Sequence, residues 1–140
     1  MKNAKKLSVS SVIENLSEDG LVYGDIEKTE ITVDGEYEYT DEKVLMRYSE
    51  KSENGVVNSE IVATKDVVTV TRSGAVSSRF EFSEGQRNES IYTACGYSFD
   101  TEIYTRKIRS TLTECGGKLD IHYDMKIGGA DKRVRMRIVV

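Results

Sequence analysis

Apolar and polar residues alternate along most of this chain with a period of two. Between Lys118 and Ile127, the residues Leu119, Ile121, Tyr123, Met125 and Ile127 share one phase; Lys118, Asp120, His122, Asp124 and Lys126 share the other. Arg133 to Val140 repeats the pattern, with Val134, Met136, Ile138 and Val140 set against Arg133, Arg135 and Arg137. Successive side chains of a strand point to opposite faces, so this pattern marks strands with one buried and one wet face. An amphipathic helix would repeat its apolar stripe every three or four residues instead. The alternation predicts strands over 5–16, 23–40, 43–51, 56–64, 67–73, 76–83, 88–97, 101–112, 117–127 and 132–140. Turn signals punctuate them at fairly even intervals: Asp19-Gly20, Asn54-Gly55, Ser73-Gly74, Glu84-Gly85, Cys115-Gly116-Gly117 and Gly128-Gly129. Glycine supplies the positive φ that tight hairpins require.

Many strands with regular turns read as one all-β domain over residues 1–140, an antiparallel sandwich or closed barrel with little helix. Proline, the commonest strand breaker, is absent. Phase also suggests registers. Ile31, Val33, Gly35, Tyr37 and Tyr39 stay in one phase through Asp34-Gly35, so Gly35 reads as a bend within one long strand rather than a hairpin. Aligning Tyr39 with Val44 then brings Tyr48 opposite Gly35. In the last hairpin, Ile127 and Lys132 flank a turn at 128–131, so that Asp124 faces Arg135 and Met125 faces Val134. A three-residue loop at Ser73-Gly74-Ala75 sets Val68 opposite Phe80 and Arg72 opposite Val76. Shifting either pairing by one residue would set apolar against polar.

Composition narrows the class. The chain has 140 residues, 31% charged and 38% hydrophobic, with a formal net charge of −4. That is a globular mixture, large enough to fold without disulfides or metal. No apolar run approaches the length of a membrane span. The basic start Met1-Lys2-Asn3-Ala4-Lys5-Lys6 resembles the head of a signal peptide, but the alternating stretch after it reads as a first strand. A cytoplasmic protein is expected, with Cys95 and Cys115 as free thiols.

Candidate chemistry is sparse. His122, the only histidine, lies on a polar phase between Asp120 and Asp124 without the companions of a triad or a metal site. The acids Asp34, Glu36, Glu38, Asp120 and Asp124 fall on outward phases and read as a solvated face. No P-loop, dinucleotide fingerprint or nucleophile elbow occurs. Arg72 shares a phase with Val68 and Val70 and therefore points inward near a barrel end. It either plugs that end by bonding hairpin carbonyls, the favoured reading, or meets an anionic ligand. Tyr37, Tyr39, Tyr48, Phe80, Phe82, Tyr123 and Met125 are the other inward candidates, filling the interior or lining a pocket. Arg133, Arg135 and Arg137 form a basic stripe without aromatic residues, read as pairing with acids across strands. Neither nucleic acid nor a membrane is an expected partner.

The order of several segments carries a resemblance. These are Arg72-Ser73-Gly74-Ala75-Val76 after a valine-rich strand, Arg79-Phe80 with Gly85, Gly96 before a strand through Thr105 and Ile108, then Gly117, Ile121, Tyr123-Asp124-Met125 and Gly128. In these the chain resembles the YwiB-like family of small bacterial proteins, a domain of unknown function. The resemblance implies a calycin or lipocalin-like β-barrel and no established activity. The tryptophan-bearing segment of secreted lipocalins is absent, so their transport role does not carry over. The resulting expectation is a cytoplasmic, non-enzymatic barrel without cofactor or metal that binds a small, anionic or amphiphilic ligand inside. The alternative is a protein-interaction or structural barrel with a filled core.

Overall fold

The computed structural model describes residues 2–140. Ten strands form it: β1 (Lys2–Leu16), β2 (Val22–Tyr39), β3 (Val44–Ser52), β4 (Gly55–Ala63), β5 (Val68–Gly74), β6 (Val76–Phe82), β7 (Arg87–Ala94), β8 (Tyr97–Ser110), β9 (Lys118–Ile127) and β10 (Ala130–Val139). Each pairs antiparallel with its sequence neighbours, and β1 pairs with β10 to close the barrel. No described residue is helical, so no helix is long and apolar enough to cross a membrane.

The alternating phases become the inside and outside of this wall. Leu7, Tyr37, Met46, Ile61, Phe82, Ile103, Leu119, Ile121 and Ile138 are fully buried in one core. Aromatic rings fill much of it: Tyr123 tilts over Phe82 at 4.7 Å, and Phe80 meets Phe82 edge-on at 6.4 Å. Burying each such side chain contributes roughly 1.5–3 kcal/mol. β7 is the exception, since no residue of it is fully buried and it pairs with β6 only at Val76–Ala94 and Ser77–Thr93.

The long strand β2 runs unbroken through Gly35, and Tyr48 lies opposite that glycine. A Cβ there would meet the Arg47 carbonyl oxygen at 2.6 Å and Leu7 Cδ1 at 2.7 Å. Leu7, rather than Tyr48, is the nearest side chain over the bare backbone.

Two hairpins differ from the phase-based registers by two residues. In the last one Gly128 and Gly129 both have positive φ, and Ile127 pairs with Ala130. That is a two-residue type I′ turn. Asp124 therefore faces Arg133, Tyr123 faces Val134, and Arg135 faces His122. Between β5 and β6, Val68 faces Phe82, Val70 faces Phe80 and Arg72 faces Ser78. Here Gly74 is drawn against β4: its φ is +98°, a Cβ would strike the Val56 carbonyl, and Ala75 N donates to Val56 O at 2.9 Å. A further turn falls at Cys95-Gly96, both with positive φ, where the alternation suggested a strand continuing to 97.

Candidate functional site

The inward residues do not line an open lumen. Tyr37, Tyr48, Phe80, Phe82 and Tyr123 are buried within the core, and Tyr39 and Met125 pack against it half-buried. They close the middle of the barrel and leave two ends with different chemistry.

One end is a wide mouth of about 860 Å³ under the loops that join β2 to β3, β4 to β5 and β6 to β7. Its floor includes Tyr39, Val44, Val68 and Leu119, and its rim mixes Asp41, Glu42 and Asp66 with Lys43 and Lys65. The segment joining β8 to β9 is tied down beside it, where Tyr37 Oη donates to the Thr113 carbonyl at 2.6 Å. Burial pushes the Tyr37 phenol up, with Tyr39 and Cys115 adding to the shift.

The other end is polar. Arg72 sits inward, half-buried, and its register neighbours on β4 and β6 are Ser59 and Ser78. Arg72 Nε and the hydroxyls of Ser59, Ser78 and Thr101 are buried without a hydrogen-bond partner among the described residues, as is Thr105 Oγ1 deeper on β8. Tyr123 reaches this row from β9: burial pushes its phenol up to about 12, and the charge of Arg72 pulls it back. The phenol therefore remains a proton donor at neutral pH.

The hairpin carbonyls expected to hold the Arg72 Nε are not there. The strand ladders hold Arg72 on both sides, and the neighbours sharing its face are serine hydroxyls. One fixed cation among several hydroxyl donors is suited to an oxyanion, which accepts from guanidinium and hydroxyl together. The three hydroxyl residues are a component that the sequence reading passed over. Their signal was a hydroxyl on the apolar phase of a strand, as with Ser59 between Val57 and Ile61 and Ser78 between Val76 and Phe80.

The wall is thin beside this row. Past the two β6–β7 residue pairs, side chains replace the backbone ladder: Ser90 Oγ donates to the Arg79 carbonyl at 2.6 Å and Asn88 Nδ2 to the Glu81 carbonyl at 3.0 Å. A depression of about 960 Å³ lies over this seam, and its lining includes Arg72, Ser78, Ser90 and Thr101 together with Arg79 and Glu89 of the outer face.

On the outer face of β9 and β10, Arg133 and Arg137 of the basic stripe pair with acids across the strands, while Arg135 faces His122. Arg133 Nε holds Asp124 at 2.9 Å and Arg137 Nε holds Asp120 at 2.6 Å, so the carboxylates flanking His122 are engaged. Burial lowers the His122 pKa; Asp120 opposes this, while Arg135, Arg106 and Lys107 add to it. Among the described residues no group of His, Cys, Asp and Glu could hold a metal ion, and both cysteines are free and exposed.

Residues 15–138 match a family described as a domain of unknown function, DUF1934. The chain belongs to this family. It is 31% identical over 122 residues, spanning 87% of this chain and 81% of the other, to the uncharacterized β-barrel protein YwiB of Bacillus subtilis (strain 168). It also matches the crystal structure of the ywiB protein from Bacillus subtilis with a TM-score of 0.84 at 29% identity, over 99% of this chain and 90% of that one. The closed ten-stranded antiparallel barrel is thus a shared architecture, and the resemblance carried by the Arg72–Val76 and Tyr123–Met125 segments is to a true relative.

Proposed function

We propose that this chain is a binding protein of the cytoplasm that takes a small oxyanion, a phosphate or carboxylate group, at the Arg72 end of its barrel, and that it acts by binding rather than catalysis. The observation that carries this reading is the buried Arg72 Nε with no partner, set in a row of buried hydroxyls that also have none. An unmet buried donor costs about 1–3 kcal/mol, and four on one inner surface are a concentration that a bound oxyanion would relieve. Because core side chains occupy the middle of the barrel, the ligand contributes a charged head here, and any long apolar tail lies outward over the β6–β7 seam. Two free, exposed cysteines agree with a reducing compartment. The sole histidine, on the outer face between engaged carboxylates, supports binding over acid–base work.

Arg72→Met tests the reading, because it keeps the apolar stem and removes the charge. Denaturant melts of both proteins, with and without inorganic phosphate or octanoate, are the measurement. The variant should be at least as stable as the natural chain without ligand, and only the natural chain should gain stability from a probe, since ligand binding to the folded state raises it as the logarithm of concentration over Kd. A variant less stable by more than about 1 kcal/mol, with neither probe affecting either protein, would make Arg72 a structural plug.

A further inference from the structure

The first half of β2, Val22 to Glu30, stands clear of the core, while Ile31 and Val33 still pack against it. β1 pairs with β2 along nearly its whole length, but β3 pairs only with Gly35–Tyr39. From Val22 to Asp34 the other edge of β2 has no strand beside it. Residues 21–30 are all exposed, with Leu21 67%, Tyr23 56% and Ile26 50% accessible. A long free edge presents unpaired backbone donors and acceptors and is a template for another strand.

We infer that a second copy of this chain occupies that edge, with the two β2 strands pairing antiparallel about a two-fold axis through Thr29. The charges along the edge select this register. Directly opposed residues share a face, so a two-fold must pass through a residue. Centring on Asp25, Glu27, Lys28 or Glu30 sets that charge against itself, and centring on Ile26 sets Asp25 against Glu27. Centring on Ile31 drives residues 22–27 of one copy into the space that β3 fills beside Gly35–Tyr39 of the other. Centring on Thr29 sets Lys28 against Glu30 twice, once on each side of the axis, and opposes no like charges. Opposite charges facing each other across strands are favourable and like charges are not.

In this register only Val22 and Tyr23 of β2 come opposite residues that the partner's β3 already flanks, Glu36 and Gly35. Near Gly24, whose φ is +69°, the register with β1 shifts in a bulge that bends the strand as it nears the partner's β3. The exposed Leu21, Val22 and Tyr23 then arrive at the partner's fork between β2 and β3. A depression of about 480 Å³ lies there, with Gly35, Arg47, Tyr48 and Ser49 in its lining. The pairing joins two barrels through one continuous sheet, in the isologous manner of most homodimers.

The test is sedimentation of the full chain over a range of concentrations, using charge reversals on exposed positions. The natural chain should dimerise. Lys28→Glu alone and Glu30→Lys alone each create two like-charge oppositions and should weaken association about tenfold or more. The double variant Lys28→Glu/Glu30→Lys restores opposite charges and should recover the dimer. A natural chain that stays monomeric would overturn the inference. So would a dimer that both single reversals leave intact, or a double variant no better than the singles.

Discussion

Tyr123 links the core to the polar end of the barrel, and its titration gives a quantitative check on both. The phenol pKa is raised from 10.0 to about 12, with burial the larger cause and Arg72 opposing it. A raised pKa means that the folded state holds the proton more tightly than the unfolded chain. The associated stability is fully present below about pH 10 and is lost as the pH rises through about 12. Each pKa step corresponds to 1.36 kcal/mol, so ionisation in the unfolded chain should remove roughly 2–3 kcal/mol across that window. Urea melts of the natural chain and Tyr123→Phe from about pH 8 to pH 12, at constant ionic strength, measure it. At pH 8 the two should agree within about 1 kcal/mol, because the hydroxyl has no hydrogen-bond partner among the described residues. Above pH 10 the natural chain should fall faster, and the difference isolates Tyr123 from Tyr37, whose phenol is raised in the same sense. In Arg72→Met the phenol loses its opposing cation, so its pKa should climb further and the alkaline loss should widen. Parallel curves for the natural chain and Tyr123→Phe would refute the buried phenol. A curve unaltered by Arg72→Met would refute the closeness of Arg72 to Tyr123.

Two further outcomes test the wall itself. Gly35→Ala places a Cβ 2.6 Å from the Arg47 carbonyl oxygen and 2.7 Å from Leu7 Cδ1, and should destabilise by about 1–3 kcal/mol in a chemical melt, as overpacking does; a change under about 0.5 kcal/mol would mean that Leu7 does not close on this glycine. The Asp124–Arg133 pair lies on the outer face with each side chain about a third exposed, so a double-mutant cycle should return a coupling of at most about 1 kcal/mol; several kcal/mol would place this face in a buried interface.

The alternation of side chains was enough to determine most of the strands, their inner faces and an all-β class of sandwich or barrel; the resemblance to a barrel family chose between the two. A period of two is local, and it needs only the sequence to say that Phe80, Phe82 and Tyr123 share the inside with Arg72. It also placed Tyr48 opposite Gly35, because the short turn between β2 and β3 left one register. It could not separate registers differing by two residues, since such a shift keeps every side chain on its own face. Turn chemistry decided those: the paired positive φ of Gly128-Gly129 tightened the last hairpin, and the contact of Gly74 with Val56 displaced the one between β5 and β6. What became of each inward side chain was a tertiary matter. Whether Tyr37 or Phe82 lines a pocket or fills it depends on the width and shear of the closed wall, which no single strand encodes. The seam at β7, the departure of β2 from β3 and the unmet donors around Arg72 all follow from how ten strands share one circumference, and only the assembled barrel shows them.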